Sequence, residues 1–112
     1  MDTTTIGRAG EDAAAAWYEA RGYRIVDRNW RSPRGELDLV VGCADLIVFC
    51  EVKTRRSDRY GTPAEAVDAR KQAQVRRLAR EWLATSEHHY RRLRFDMAAV
   101  DGRGHVEVIE GW

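Results

Sequence analysis

The sequence predicts an α/β fold, a mixed β-sheet flanked by helices in the order α-β-β-β-α-β-β. Three observations predict it. Two stretches repeat apolar residues at three- and four-residue spacing. Five shorter stretches alternate apolar and other residues or run apolar between turn residues. The second helical stretch interrupts the series of strands, as mixed sheets with covering helices require.

The first element is a helix over residues 7–21, "GRAGEDAAAAWYEAR", with Ala13, Ala16, Trp17 and Ala20 on one stripe and Gly22 as its C-cap. "YRIVDRNW" (23–30) is a strand with Tyr23, Ile25 and Asp27 on one face, and "RSPRG" is a turn. Strands follow at about 36–42 and 46–54. "TPAE" (62–65) has the form of a capping box with Pro63 at the first helical position. Asp68 can cap a second start, and the helix runs to about Ser86 on a stripe of Val75, Leu78, Ala79, Trp82 and Leu83. "RRLRFDMAAV" (91–100) and "HVEVIEGW" (105–112) form a last strand pair around an Asp-Gly-Arg-Gly turn.

At 112 residues the chain fits one domain, 1–112, with no internal repeat, linker or low-complexity segment. Its 44% hydrophobic and 33% charged residues are those of a soluble globular protein. No apolar run approaches the ~20 residues of a membrane span. The start, "MDTTTIGRAGEDAAAAW", has no basic region leading into an apolar one, so a cytoplasmic location is the expectation. Cys43 and Cys50 have neither disulfide-framework nor zinc-site spacing and read as small strand residues. A net charge of +1 leaves any nucleic-acid binding to local asymmetry. Of the 19 basic residues, only Lys53 and Lys71 are lysine, and arginine cannot replace a compact, titratable ammonium.

The strand pair "GELDLVVGCADLIVFCEVKTR" (35–55) sets Glu36, Asp38, Glu51 and Lys53 among apolar residues. Alternation puts Leu37, Leu39 and Val41 on one face and Glu36, Asp38 and Val40 on the other. Across the turn, Val48, Cys50 and Val52 oppose Ile47, Phe49, Glu51 and Lys53 in the same way. A one-residue slip would put carboxylates among the apolar set, so burial fixes the register. With Val41 opposite Val48, Leu39 meets Cys50, Asp38 meets Glu51 and Glu36 meets Lys53. Facing carboxylates repel. Either solvent and neighbouring arginines relieve them, or a divalent cation sits between them. Two hard oxygen ligands suit Mg²⁺, which fills its remaining positions with water and phosphate.

Asp38, then twelve residues, then Glu51-Val52-Lys53 resembles the signature of the restriction-endonuclease-like nucleases. From about Gly7 to Val100 the chain resembles the small bacterial YraN family. The stretches that carry this are "GRAGEDAAAAWYEARGYRIVDRNWRSPRGELDLV", "LIVFCEVKTR", "YGTPAEAVDARKQAQVRRLA" and "RFDMAAV". That family is similar in fold to archaeal Holliday junction resolvases. The resemblance implies a restriction-endonuclease-like domain that hydrolyses DNA phosphodiester bonds with Mg²⁺ or Mn²⁺. It implies Asp38, Glu51, Glu11 and the Val52 backbone carbonyl as metal ligands and Lys53 as the residue that positions the attacking water. Glu36 falls in the family's Gly-Glu-hydrophobic-Asp motif, and Lys71 and Gln72 fall on the helix that borders the site. The proline usual before the signature aspartate in the wider nuclease group is replaced here by Leu37, a departure that is normal for YraN-like members.

Arg55, Arg56 and Arg59, with Lys71 and Gln72, are the candidate nucleic-acid-binding residues. Nothing in the chain reads base sequence, so branched or otherwise structured DNA, recognised by shape, is the expected substrate. A resolvase-like activity also needs two sites and hence a homodimer. A nuclease-fold module that binds nucleic acid with little or no cutting is the alternative, and a plain interaction protein with incidental acids is the third reading.

Overall fold

α1 (Thr3–Glu19), β1 (Arg24–Ser32), β2 (Gly35–Cys43), β3 (Leu46–Thr54), α2 (Ala69–Thr85), β4 (Arg92–Val100) and β5 (Val106–Glu110) follow the order that the sequence predicts. The computed structural model describes residues 3–54 and 68–112, with side chains from residue 7 onward in the first segment. The capping box at 62–65 and the start at Pro63 lie outside the described residues. The sheet runs β1-β2-β3-β4-β5. β3 and β4 pair in parallel and the other neighbours antiparallel.

α1 ends as expected. Tyr23 N–H bonds to the Tyr18 carbonyl and Gly22 N–H to the Glu19 carbonyl, at 3.1 Å each, a Schellman closure with Gly22 at φ +87°. The stripe that α1 buries is not the expected one. Ala14, Ala15 and Tyr18 are buried, whereas Ala16 and Ala20 are exposed. Four consecutive alanines leave the apolar period undefined, and the Tyr18 ring, which reaches into the core, sets the rotation. Glu11 lies three and four residues before Ala14 and Ala15, so the same rotation turns it toward the sheet.

α2 starts where Asp68 caps it, its side chain accepting from Lys71 N–H at 2.9 Å. Val75, Leu78, Ala79 and Trp82 are buried as the spacing predicts. The two helices cover opposite faces of the sheet. Leu39, Val41, Val48, Cys50 and Ala98 pack with α1, and Val40, Ile47 and Phe49 pack with α2. This alternation fits the expected register, in which Val41 pairs with Val48 and Leu39 with Cys50.

Two face assignments are overturned. Leu37 packs with the α2 cluster, while Leu39 packs with the α1 cluster. Asp27 leaves the face of Tyr23 and Ile25 and accepts from the Trp82 indole at 2.9 Å on the α2 side. Two irregularities of β1 accompany these changes. β1 shifts register between Ile25 and Asp27, and Asn29 in the same strand sits at φ +53°, a left-handed conformation that asparagine tolerates. A simple alternation rule cannot see either break.

The β1–β2 turn is tied down on α2. Ser32 donates to Glu81 at 3.0 Å, and the Gln74 side chain donates to the Arg34 carbonyl at 3.3 Å. Gly35 sits at φ +150°, where a Cβ would stand 2.7 Å from Gln74 Nε2 and 3.3 Å from Leu78 Cδ1. Gly35→Ala is expected to cost about 1–3 kcal/mol, since that conformation is nearly confined to glycine. Urea unfolding checks it, and a loss under half a kilocalorie would show that the turn relaxes freely.

Candidate functional site

The candidate site forms where the β2–β3 ladder opens. The paired residues of β2 and β3 end at Leu39 and Cys50. One residue on, Asp38 stands between a neighbour that faces α2 and one that faces α1. Its carboxylate points along the sheet toward β3, where it accepts the Val52 N–H at 2.8 Å. The side chain thus takes the place of a ladder carbonyl.

Three further acids converge on this point. Glu11 arrives from α1 and Glu36 from the start of β2, and one ligand oxygen each from Glu11, Glu36 and Asp38 lie within 4.8 Å of one another. The Asn29 amide holds Glu11 at 2.9 Å, and Arg28 holds Asp12 beside it at 2.6 Å. Glu36 pairs with Arg31 at 3.4 Å, not with Lys53 as its expected cross-strand position implied. Glu51 approaches from the α2 side and is only 6% exposed. Lys71 Nζ meets its Oε1 at 2.8 Å, while its Oε2 is buried with no hydrogen-bond partner.

This crowding shows in the protonation equilibria. The Asp38 carboxyl is pushed up to about 7, first by burial and then by the charge of Glu51, with Glu11 adding to it. The Val52 N–H and Lys71 oppose that rise. Burial alone would weaken the Lys71 ammonium, but the hydrogen bond and charge of Glu51, with Asp38 and Glu36 behind, leave its pKa raised.

The remaining sequence candidates fall as follows. Val52 lends its N–H to Asp38. The Lys53 side chain is exposed and has no hydrogen bond or ion pair among the described residues. Gln72 is half-buried in the first turn of α2, its N–H bonded to the Asp68 carbonyl at 2.9 Å. Arg55, Arg56 and Arg59 lie outside the described residues. Sequence reasoning missed Asn29, which holds Glu11, and the two arginines of the β1–β2 turn. Arg31, Ser32, Pro33, Arg34, Gly35 and Glu36 line an open cleft of about 480 Å³, which shares Glu36 with the acid cluster. The expectation of a basic flank rested on runs of arginine elsewhere, and "RSPRG" signalled only a turn.

The donor set fits a hard divalent cation. Glu11, Glu36 and Asp38 offer carboxylate oxygens at short mutual range, and Glu51, whose charge acts on Asp38, adds a buried oxygen without a hydrogen-bond partner. No helix among the described residues is long and apolar enough to cross a membrane.

Comparison with known proteins gives one consistent result. The family profile described as "Uncharacterised protein family UPF0102" matches residues 10–100. A UPF0102 protein of Rhodococcus opacus is 53% identical over 106 residues, which covers 94% of this chain and 90% of that protein. A second, from Frankia casuarinae, is 52% identical over 110 residues, covering 95% and 93% of the two chains. A more distant one, from Dictyoglomus thermophilum, is 38% identical over 100 residues, covering 89% and 85%.

Proposed function

We propose that this chain, which belongs to the UPF0102 family, the YraN-like group, is a divalent-cation-dependent endonuclease that hydrolyses DNA phosphodiester bonds, with branched or otherwise structured DNA as substrate. One observation carries the reading. Asp38 is held edgewise between strands with the oxygens of Glu11 and Glu36 in range, beside a buried Glu51 whose second oxygen has no partner. Four acids so arranged destabilise the protein unless a cation joins them.

Asp38, Glu51 and Glu11 are the proposed ligands, with Glu36 alongside. Mg²⁺ or Mn²⁺, when bound, supplies the charge that polarises a phosphate and acidifies water. The Val52 N–H keeps the Asp38 carboxylate aimed, and Arg31 anchors Glu36. In the cleft beside Glu36, Arg31 and Arg34 have side chains 79% and 60% exposed, and, though paired with Glu36 and Glu81 at 3.4 and 3.7 Å, they are the proposed contacts to phosphates of the strand on either side of the cut. Lys53 is the remaining proposed catalytic residue, its exposed side chain two residues beyond Glu51 on β3.

The rival reading is a nucleic-acid-binding module that does not cut. The 2.8 Å pair between Lys71 and Glu51, which already neutralises one acid, favours it. Incubating wild type, Asp38→Asn and Lys53→Ala with linear, flapped and four-way DNA, with and without Mn²⁺, separates the two. The nuclease reading expects Mn²⁺-dependent products on branched DNA from wild type, reduced at least about a hundredfold in both variants, as loss of a catalytic group typically does. Binding without cleavage on every substrate would establish the module.

A further inference from the structure

The sequence puts Lys71 on the helix that borders the site but does not give it a partner there. It falls on α2 among Arg70, Arg76, Arg77 and Arg80, in a helix that reads as a basic, solvent-facing surface. Its ammonium instead turns inward to Glu51, and Asp38 and Glu36 also act on it by charge. The single cation in contact with Glu51 among the described residues is therefore an ammonium on a four-carbon stem.

Two features make this cation displaceable. The Lys71 side chain is 42% exposed, so its head can move from the acid into water with little desolvation to reverse. Lysine is also a point charge on a flexible stem, whereas arginine would clamp a carboxylate with two parallel bonds. A chain that uses arginine almost everywhere has lysine at this contact. Glu51 cannot be left bare meanwhile. It is buried, and an uncompensated carboxylate there is strongly disfavoured.

We infer that Lys71 is the resident counter-cation of the acid cluster, occupying on Glu51 the place that an incoming divalent cation takes, so that the ion pair and metal binding exclude one another. This rests on the metal-dependent reading above and adds a role for α2 in it. Metal entry releases the ammonium at the border of the site, where a phosphate would next arrive. In the metal-free protein the ammonium meanwhile offsets part of the repulsion among the acids.

Calorimetric titration with MnCl₂ in the absence of DNA tests this on wild type, Lys71→Met and Lys71→Arg. Removing the competitor in Lys71→Met should tighten Mn²⁺ binding by about tenfold, the size of a lost charge-assisted hydrogen bond. Lys71→Arg should weaken it, since the guanidinium holds Glu51 more firmly. A second readout needs no variant that must fold. With only two lysines, reductive ¹³C-methylation gives two side-chain signals, and saturating Mg²⁺ should move that of Lys71 to the position of an exposed lysine while Lys53 stays. If wild type binds metal but Lys71→Met binds it equally or more weakly and the Lys71 signal does not move, the competition is refuted and the metal reading stands. If no form binds either metal, both fall together.

Discussion

Asp38→Asn is expected to stabilise the metal-free protein at pH 8 while abolishing Mn²⁺ binding and DNA cleavage. The Asp38 carboxyl has a pKa of about 7 in the fold against 3.8 in the unfolded chain. A group whose pKa rises on folding contributes stability that is fully present below the unfolded value. That contribution is lost as pH rises through the folded value. Between about pH 4 and pH 7 the native state keeps a proton that the unfolded chain has released, so wild-type stability falls across that window. Asparagine stays neutral throughout, and its side-chain oxygen still accepts the Val52 N–H. The stability difference, variant minus wild type, should be near zero at pH 4 and grow toward pH 8. Three pKa units correspond to at most about 4 kcal/mol, at ~1.36 kcal/mol each. Urea unfolding of both proteins at four pH values checks this. A difference that does not change with pH would mean that Asp38 is not strained by its neighbours. The trade is the one that sites often show, a substitution that helps the fold and removes the activity.

The second large effect lies away from the acids. Asp96 is fully buried in β4, yet four donors reach it. Arg94 Nε and the Gly111 N–H approach its Oδ1 at 2.8 and 3.1 Å, while Tyr18 Oη and Arg94 Nη2 approach its Oδ2 at 2.6 and 2.8 Å. One carboxylate thereby joins α1, β4 and the residues after β5. Asp96→Ala removes the carboxylate that the largely shielded Tyr18 hydroxyl and Arg94 guanidinium share, and leaves Arg94 only Tyr23 Oη at 3.2 Å and Glu110 at 3.7 Å. The expected loss is about 3–5 kcal/mol, as for other broken buried ion pairs. That is about a fifth or more of what a domain of this size usually possesses. Tyr18→Phe removes one donor of the four and should cost about 1–2 kcal/mol. Thermal and urea unfolding should rank the variants in that order. No loss in Tyr18→Phe would mean that Tyr18 acts through its ring alone. Since Tyr18 also fixes the rotation of α1 that aims Glu11, both variants should weaken Mn²⁺ binding as well.

Much of this architecture can be read from the residues. The element order, the Gly22 closure of α1, the Asp68 cap and buried stripe of α2, and the Leu39–Cys50 register follow from turn chemistry and periodicity. Two kinds of feature could not be read. The rotation of α1 is hidden by four alanines that look alike at every angle, and only the buried Asp96, distant in sequence, selects Tyr18. The bulge near Val26 and the positive φ of Asn29 break the two-residue period without a glycine or proline to announce them. For the acids, spacing suggested that Asp38 and Glu51 would meet face to face. The fold brings them together by another route, with Asp38 turned sideways and Glu11 supplied from a helix. Lys71 illustrates the limit most clearly, since nothing in the pattern of α2 distinguishes an inward ammonium from an outward one.

The sideways set of Asp38 has a practical consequence for anyone who would transplant this arrangement into another scaffold. Copying the acidic letters onto a regular two-stranded ribbon would send Asp38 to one surface with Glu51 and strand Glu11 beyond the other. The graft must also carry the kink opposite, with an asparagine able to bend backward at position 29 and an open rung in which Val52 offers its amide. What travels as a cassette is therefore a flaw in the weave of three strands, and the letters alone would reproduce its spelling without its geometry.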